Sequence, residues 1–235
     1  MKIALVGYGA MGKLIRTLAE EKGHEIAVVI DDEEAGLSVA DLSQKLVDCD
    51  AVIDFSSAEA VRRNVGACVM AGVPIVEGTT GWHATRGEIE RIVSEGGGSM
   101  VFGANFSIGV NLFYRVADFA AELFAKFPEY EPFIEEQHHS RKKDSPSGTA
   151  LKLKDIVTQH IDKNFSVSAT RAGNIPGTHR VGFDGPPDQI LLEHAARSRE
   201  GFASGALLAA EWIVGKKGFY EFAYVMDELC QHRER

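Results

Sequence analysis

The chain has 235 residues, 45% of them hydrophobic and 25% charged, an ordinary globular composition that is long enough for one large domain or two modest ones. Its formal net charge of -9 argues against a general nucleic-acid or anionic-membrane surface, since both need a basic face that displaces counterions. Cys49, Cys68 and Cys230 are odd in number and widely spaced, which argues against a disulfide framework or a zinc site and points to a reducing compartment.

The N-terminal run Met1 to Gly7 is too short for a signal peptide, and no stretch approaches the roughly 18 apolar residues of a membrane span, so a cytoplasmic location is expected. Strands are predicted at Ile3 to Val6, Glu25 to Ile30, Ala51 to Phe55, Val73 to Val76 and Met100 to Phe102. They are almost continuously apolar, as strands buried on both faces of a parallel sheet are. Helical periodicity fills Lys13 to Lys22, Ala58 to Met70 and Thr85 to Glu95 between them. This alternation predicts a doubly wound α/β domain of the Rossmann type.

Between the first strand and the first helix stands Gly7-Tyr8-Gly9-Ala10-Met11-Gly12, a GxGxxG with an acid, Asp31, about 20 residues further on at the end of the second strand. Gly7 permits the tight turn, Gly9 lets a pyrophosphate approach the backbone, and Gly12 allows close helix-to-strand contact. The helix N-terminus offers free N–H groups to the phosphates, so the loop predicts a dinucleotide site. Asp31 is read as the ribose ligand, with a helix cap or a solvated acid as the alternative for any member of Asp31-Asp32-Glu33-Glu34. That acidic run would repel a 2'-phosphate and favours NADH, while Lys13 nearby leaves NADPH open. Phe55 and Ser56, then Gly78, Thr79 and Thr80, then Gly103, Ala104, Asn105 and Phe106 follow the carboxyl ends of later strands, where ligands of such sheets bind. They are expected to line the rest of the same site.

After about Asn105 the rhythm changes. A long amphipathic helix is predicted over Val110 to Phe127, a strand over Pro132 to Glu136, a polar histidine-rich loop, and a helix from about Ser147 to Ile161. Further strands are read around Val167 to Thr170, His179 to Phe183 and Ile190 to His194, and an Ala-rich helix at Ala203 to Val214. This order predicts an α+β domain on an open mixed or antiparallel sheet. The boundaries read are 1–106 for the dinucleotide domain, 107–198 for the second domain, and 199–235 for a C-terminal segment returning to the first.

The run Glu136 to Thr149 brings proton-transfer groups, cations and a helix start together. In extended chain His138 and His139 point opposite ways, so one would face a ligand while the other supports it, and histidine titrates in the range that suits a general acid. Arg141, Lys142 and Lys143 supply positive charge, and Ser147, Gly148 and Thr149 at a helix N-terminus are placed to grip a carboxylate. A surface histidine pair, half a metal site and a solvated basic face are the competing readings of these residues.

The pattern Glu136-x-His138-His139-x-x-Lys142-x-Asp144-x-Pro146-Ser147-Gly148-Thr149-Ala150 resembles the signature of the dihydrodipicolinate reductases at every fixed position. Further likeness lies in the glycine loop, Asp54-Phe55-Ser56, Gly78-Thr79-Thr80-Gly81, Ala104-Asn105-Phe106-Ser107, Arg171-Ala172-Gly173, Ser198-Arg199 and Phe202-Ala203-x-Gly205-Ala206, so it covers the whole chain. The resemblance implies reduction of 4-hydroxy-tetrahydrodipicolinate with NADH or NADPH in lysine biosynthesis through diaminopimelate. It implies His138 as proton donor and Lys142 as second catalytic residue, with His139, Ser147, Gly148, Thr149 and Arg199 on the substrate and no metal. It also implies a second domain that binds substrate and assembles a homotetramer through its sheet. Ala10-Met11 and Asp32 stand where many members carry basic residues, which tilts the cofactor towards NADH. The alternatives kept are another amino-acid or sugar-acid dehydrogenase on the same fold and a non-catalytic NADH-binding protein.

Overall fold

A computed structural model describes residues 1–34 and 36–231, apart from the side chain of Asp32, and the last four residues of the C-terminal segment lie outside it. The chain forms two compact units, Met1–Ile108 with Glu200–Arg235, and Gly109–Arg199.

The first unit alternates β1 (Lys2–Val6), α1 (Ala10–Glu21), β2 (Glu25–Ile30), α2 (Val39–Leu46), β3 (Ala51–Asp54), α3 (Val61–Ala71), β4 (Ile75–Glu77), α4 (Arg86–Glu95) and β5 (Ser99–Phe102). In the second unit, α5 (Ile108–Phe124), β6 (Glu131–His138), α6 (Gly148–His160), β7 (Val167–Arg171), β8 (Thr178–Asp184) and β9 (Gln189–Ala195) follow. The chain then re-enters the first unit as α7 (Glu200–Ile213), β10 (Gly218–Glu221) and α8 (Phe222–Gln231).

The first sheet is parallel in every pair, in the order β10-β5-β4-β3-β1-β2. Its central strands β1, β3, β4 and β5 are largely apolar because they bury both faces, while β2 and β10 at the two edges are only partly covered. Ile3, Leu5, Ile53, Val76 and Val101 pack on Ile15 and Ala19 of α1 and on Ala203, Ala206, Leu207, Ala210 and Ile213 of α7. On the other face, Ala4, Val6, Val52, Ile75 and Met100 meet Leu42 and Leu46 of α2, Val61 and Val65 of α3, and Ile89 and Val93 of α4. Each fully buried side chain of this size contributes about 2 kcal/mol. The parallel α/β reading is borne out, and the small residues of α7 are explained: Gly205 abuts the Phe106 carbonyl, where no side chain fits.

The second sheet is mixed, in the order β7-β6-β8-β9, with β6 parallel to β7 and antiparallel to β8. Phe113, Ala117 and Ala121 of α5 and Ala150, Leu153 and Val157 of α6 cover one face, against Ile134, Val181 and Phe183. On β9, Ile190 and Leu191 remain exposed.

One boundary changes the chemistry. β6 runs to His138, two residues beyond the predicted strand, so His138 sits on a strand rather than in a loop. The alternation along β6 buries Pro132, Ile134, Glu136 and His138 on one face and leaves His139 on the other side of the chain.

Candidate active site

In the first unit, Gly7 has φ +82 and donates its N–H to the Ile30 carbonyl at 2.8 Å. A Cβ there would lie 2.5 Å from the Phe55 carbonyl oxygen, so the turn and the close approach both require glycine. Gly12 is pressed against the Gly7 carbonyl. Gly9, by contrast, faces open space, with nothing within 4 Å of a side-chain position. It is the N-cap of α1, which has no side-chain cap and no acid in its first turn. The end of α1 is therefore an uncompensated row of N–H donors beside room for a phosphate, and these residues fit the pyrophosphate of a dinucleotide.

Asp31 is exposed and accepts the Tyr8 N–H at 3.3 Å. Glu34 accepts the Asp31 N–H at 3.2 Å and is paired with Lys45 at 3.3 Å; the Asp31 amide first and the Lys45 ammonium second hold its carboxyl below the ordinary value. Two cations attend Tyr8: Arg16 donates to its hydroxyl at 3.2 Å and the Lys13 ammonium lies 5.9 Å from its ring centroid.

Of the residues after later strands, Ser56, Thr80 and Ala104 are exposed, and Phe55, Gly78, Gly103 and Asn105 are half-buried. Thr79 is buried and accepts the Trp82 indole N–H on its carbonyl at 2.8 Å. Thr79, Thr80, Trp82, Arg86, Gly103 and Ala104 line a small recess here. The Phe106 side chain is core, 2% exposed and packed 4.7 Å from the Phe222 ring centroid. A ligand would meet at most its backbone.

The second unit gathers its polar groups around Glu136. Oε1 of Glu136 accepts the Ser147 N–H at 2.9 Å and Nη2 of Arg171 at 2.7 Å. Its Oε2 lies 3.0 Å from His138 Nδ1 and 3.7 Å from His179 Nε2. Sheet register puts them there, since Glu136 is opposite His179 on β8 and His138 is opposite Arg171 on β7. Arg171 also donates to the Asp144 carbonyl at 2.6 Å, which ties the loop to the sheet. Lys142 Nζ is 2.9 Å from Asp144 Oδ1, and Asp144 takes the Gly148 N–H. Tyr114 of α5 hydrogen-bonds Thr149. His139 is half-buried, and Arg199 is exposed in the segment between β9 and α7.

Burial opposes charge on Glu136, but the bonds from Ser147 and Arg171 outweigh it and hold the carboxyl below its ordinary value. Burial pushes His138 down, against the pull of Glu136, and pushes His179 down to about 4. Asp144 is held below the ordinary carboxylate value, chiefly by its hydrogen bond from Lys142. The set places an ionised carboxylate 3.0 Å from His138 Nδ1, close enough to favour the imidazolium when His138 takes up a proton. Ligand atoms of Glu136, His138 and His179 all lie within 4.8 Å of one another, a span compatible with a metal. Arg171 and Ser147 engage Oε1 of Glu136, whereas Oε2 and His138 Nδ1, though 3.0 Å apart, are buried without a hydrogen-bond partner among the described residues.

Ser147 is drawn inward rather than out. It is 2% exposed, its Oγ caps α6 by accepting the Ala150 N–H at 3.2 Å, and the same oxygen lies 3.2 Å from His179 Nε2. Its N–H and hydroxyl are thus both in use.

The dihydrodipicolinate reductase N-terminus family model matches residues 1–106, and the dihydrodipicolinate reductase C-terminus model matches residues 109–226. The chain belongs to the dihydrodipicolinate reductase family. It is 34% identical to the 4-hydroxy-tetrahydrodipicolinate reductase of Christiangramia forsetii over 99% of this chain and 100% of the relative. It is 33% identical to the enzyme of that name from Archaeoglobus fulgidus, over 98% of this chain and 100% of the relative. A dipicolinate-bound dihydrodipicolinate reductase from Paenisporosarcina sp. TG-14 shares the fold, with a TM-score of 0.79 and 20% identity over 94% of this chain and 97% of that one.

Three residues of this site in a dihydrodipicolinate reductase take their roles only from the fold. Glu136 was only the first letter of the run, Arg171 only part of a similar segment, and His179 only a strand residue. The period-2 pattern Ile134, Glu136, His138 was the available signal, because an acid on the buried face of a strand needs a cation or donor beside it.

Proposed function

We propose that this chain catalyses NADH- or NADPH-dependent reduction of 4-hydroxy-tetrahydrodipicolinate to tetrahydrodipicolinate, in lysine biosynthesis through diaminopimelate. The observation that carries the reading is the Glu136–His138 pair, 3.0 Å apart, beside Lys142 and the α6 N-terminus, in a chain similar over its whole length to reductases of that name.

Gly7, Tyr8, Gly9, Ala10, Met11, Gly12 and Asp31 would hold the adenosine and pyrophosphate part of the cofactor, with Phe55, Ser56, Gly78 to Thr80 and Gly103 to Asn105 towards the nicotinamide. When bound, a reduced nicotinamide supplies a hydride to the electron-poor ring carbon of the substrate. His138, once it has taken up a proton so that both ring nitrogens carry hydrogen, supplies the balancing proton from Nε2, and the ionised Glu136 beside Nδ1 stabilises that imidazolium. Lys142 exchanges its Asp144 partner for a substrate carboxylate, and Gly148 and Thr149 orient that carboxylate at the positive end of α6. Ser147 acts from behind as the cap that holds the helix end in place. His139 and Arg199 complete the substrate side. The ring hydroxyl leaves as water, so the hydroxylated and dehydrated rings give one product.

NADH is the preferred cofactor in this reading, supported by the exposed carboxylate of Asp31 where β2 ends. The working form is a cytoplasmic homotetramer assembled through the second sheet, supported by the exposed Ile190 and Leu191 of β9. Light scattering that returns the mass of one chain would remove the assembly part.

The test is NADH consumption with the condensation product of pyruvate and aspartate semialdehyde. His138→Ala and Lys142→Ala are each expected to lower turnover by about a hundredfold or more while NADH still binds. No loss of nicotinamide absorbance with either cofactor would defeat the reading.

A further inference from the structure

The last residues of the six parallel strands form one row across the carboxyl edge of the first sheet: Glu221, Phe102, Glu77, Asp54, Val6 and Ile30. At its centre two acids are direct register partners, both 0% exposed, flanked in the row by Phe102 and Val6. Asp54 Oδ1 accepts the Ser56 N–H at 2.8 Å, and Oδ2 accepts Asn64 Nδ2 at 2.7 Å. Glu77 Oε1 accepts the Thr79 N–H at 2.8 Å, its Oε2 has no N–H or O–H partner among the described residues, and its carboxyl group is within hydrogen-bonding reach of the Asp54 carboxyl group. Two enclosed carboxylates in contact cannot both ionise, so one proton must lie between them.

The consequence is a link between two turns. Ser56 N–H also reaches Thr79 Oγ1 at 3.1 Å, and Asn64 Nδ2 also reaches Ser56 Oγ at 3.2 Å. The first turn supports the Gly7 turn through the Phe55 carbonyl. We propose that Asp54 and Glu77 share one proton and act as a clasp that positions the Phe55-Ser56 and Gly78-Thr79 turns against the cofactor. The proposal rests on the reading that this unit binds NADH, and it makes both acids positioning residues.

Burial raises both carboxyls, and because both Asp54 oxygens already accept N–H donors while Glu77 Oε2 accepts none, Glu77 holds the proton and donates it to Asp54. From α3, Asn64 and the buried thiol of Cys68 face the pair, and the Arg63 guanidinium is one step removed, bonded to Asn64 Oδ1 at 2.9 Å. When Glu77 ionises at alkaline pH, the two charges repel and the clasp opens.

Calorimetric titration of NADH from neutral to alkaline pH tests this. Wild type is expected to lose about tenfold in affinity as Glu77 ionises, the equivalent of one hydrogen bond. Glu77→Gln donates an amide N–H to Asp54 permanently, so it should bind like wild type at neutral pH and show no alkaline loss. Cys68→Ala should keep the loss. Wild-type-like alkaline loss in Glu77→Gln, its absence in wild type, or its abolition by Cys68→Ala would overturn the proposal. Infrared spectra at neutral pH provide a readout independent of binding: a protonated carboxyl band present in wild type and absent in Glu77→Gln is expected, and an unchanged spectrum overturns it. Failure of wild type to bind NADH at every pH would instead strike the function reading itself, and the clasp with it.

Discussion

Glu77 and Glu136 are both enclosed near the ends of strands, at 0% and 1% exposure, yet their surroundings drive them in opposite directions. Glu77 has one amide donor and another acid for company, and burial raises it well above the ordinary carboxyl value. Glu136 has an amide, a guanidinium and two imidazoles within reach, and is held below that value despite its burial. Two acids equally hidden from solvent thus differ, one keeping a proton and one giving it up. Glu77 lies deeper in the protein and has fewer donors, and both differences push the same way. In the first unit the result is a neutral link between turns, and in the second it is a fixed charge that orients a proton donor.

The widest separation should come from the same substitution at both places. Glu136→Gln leaves the Arg171 guanidinium without its counter-charge and should cost about 4 kcal/mol of stability, as removal of one partner from an enclosed ion pair does. Glu77→Gln keeps both hydrogen bonds and should cost less than about 1 kcal/mol. Denaturant unfolding of the two variants measures this, and equal losses would end the distinction. Turnover should also fall in Glu136→Gln, since His138 Nδ1 loses its charged acceptor.

His179 sharpens the same contrast from the histidine side. Its folded value is about 4, through burial first and the neighbouring His138 next, against about 6.5 unfolded. Between these values the folded chain binds fewer protons than the unfolded one, so stability rises with pH across the window. The contribution is complete above about pH 6.5 and lost as pH falls towards 4, amounting to about 3 kcal/mol. His179→Gln should flatten the stability curve between pH 4 and 6.5 by about that amount, and an unchanged slope would show that His179 titrates normally.

The two regions also differ in how much of them was legible in the sequence. The glycine loop was read nearly whole, because a tight turn and a close approach leave glycine no substitute at Gly7. The parallel sheet was legible because strands buried on both faces show no alternation. α2 lies in a stretch for which no helix is predicted, although Ser38 accepts the Asp41 N–H at 3.1 Å and donates to its carboxylate, and Val39, Leu42 and Leu46 stand at helical spacing; at eight residues the segment is short for a pattern to stand out. β10 was missed because its four residues are a strand only through pairing with β5, more than a hundred positions away in the sequence. In the second region the motif was legible and the support behind it was not. Arg171 and His179 reach Glu136 through sheet register, which no local pattern announces. The Asp54–Glu77 contact is hidden for the same reason, since adjacency of β3 and β4 brings it about.

Asp31 provides the smallest test and the one that bounds the comparison, because it too follows the end of a strand but is exposed. Among the described residues it is neither clasped like Glu77 nor paired like Glu136, and its carboxylate accepts the Tyr8 N–H at 3.3 Å. An acid in that setting is available to a ligand, and two ribose hydroxyls are the donors a dinucleotide offers it. Asp31→Ala should weaken NADH about tenfold, close to 1.4 kcal/mol, with little change in NADPH, whose 2'-phosphate the carboxylate repels. Affinities for both cofactors, measured in wild type and variant, give the answer. Equal weakening of the two would mean that Asp31 shapes the glycine loop through Tyr8 rather than touching the ribose, and the acids at this edge of the sheet would then all be positioning residues.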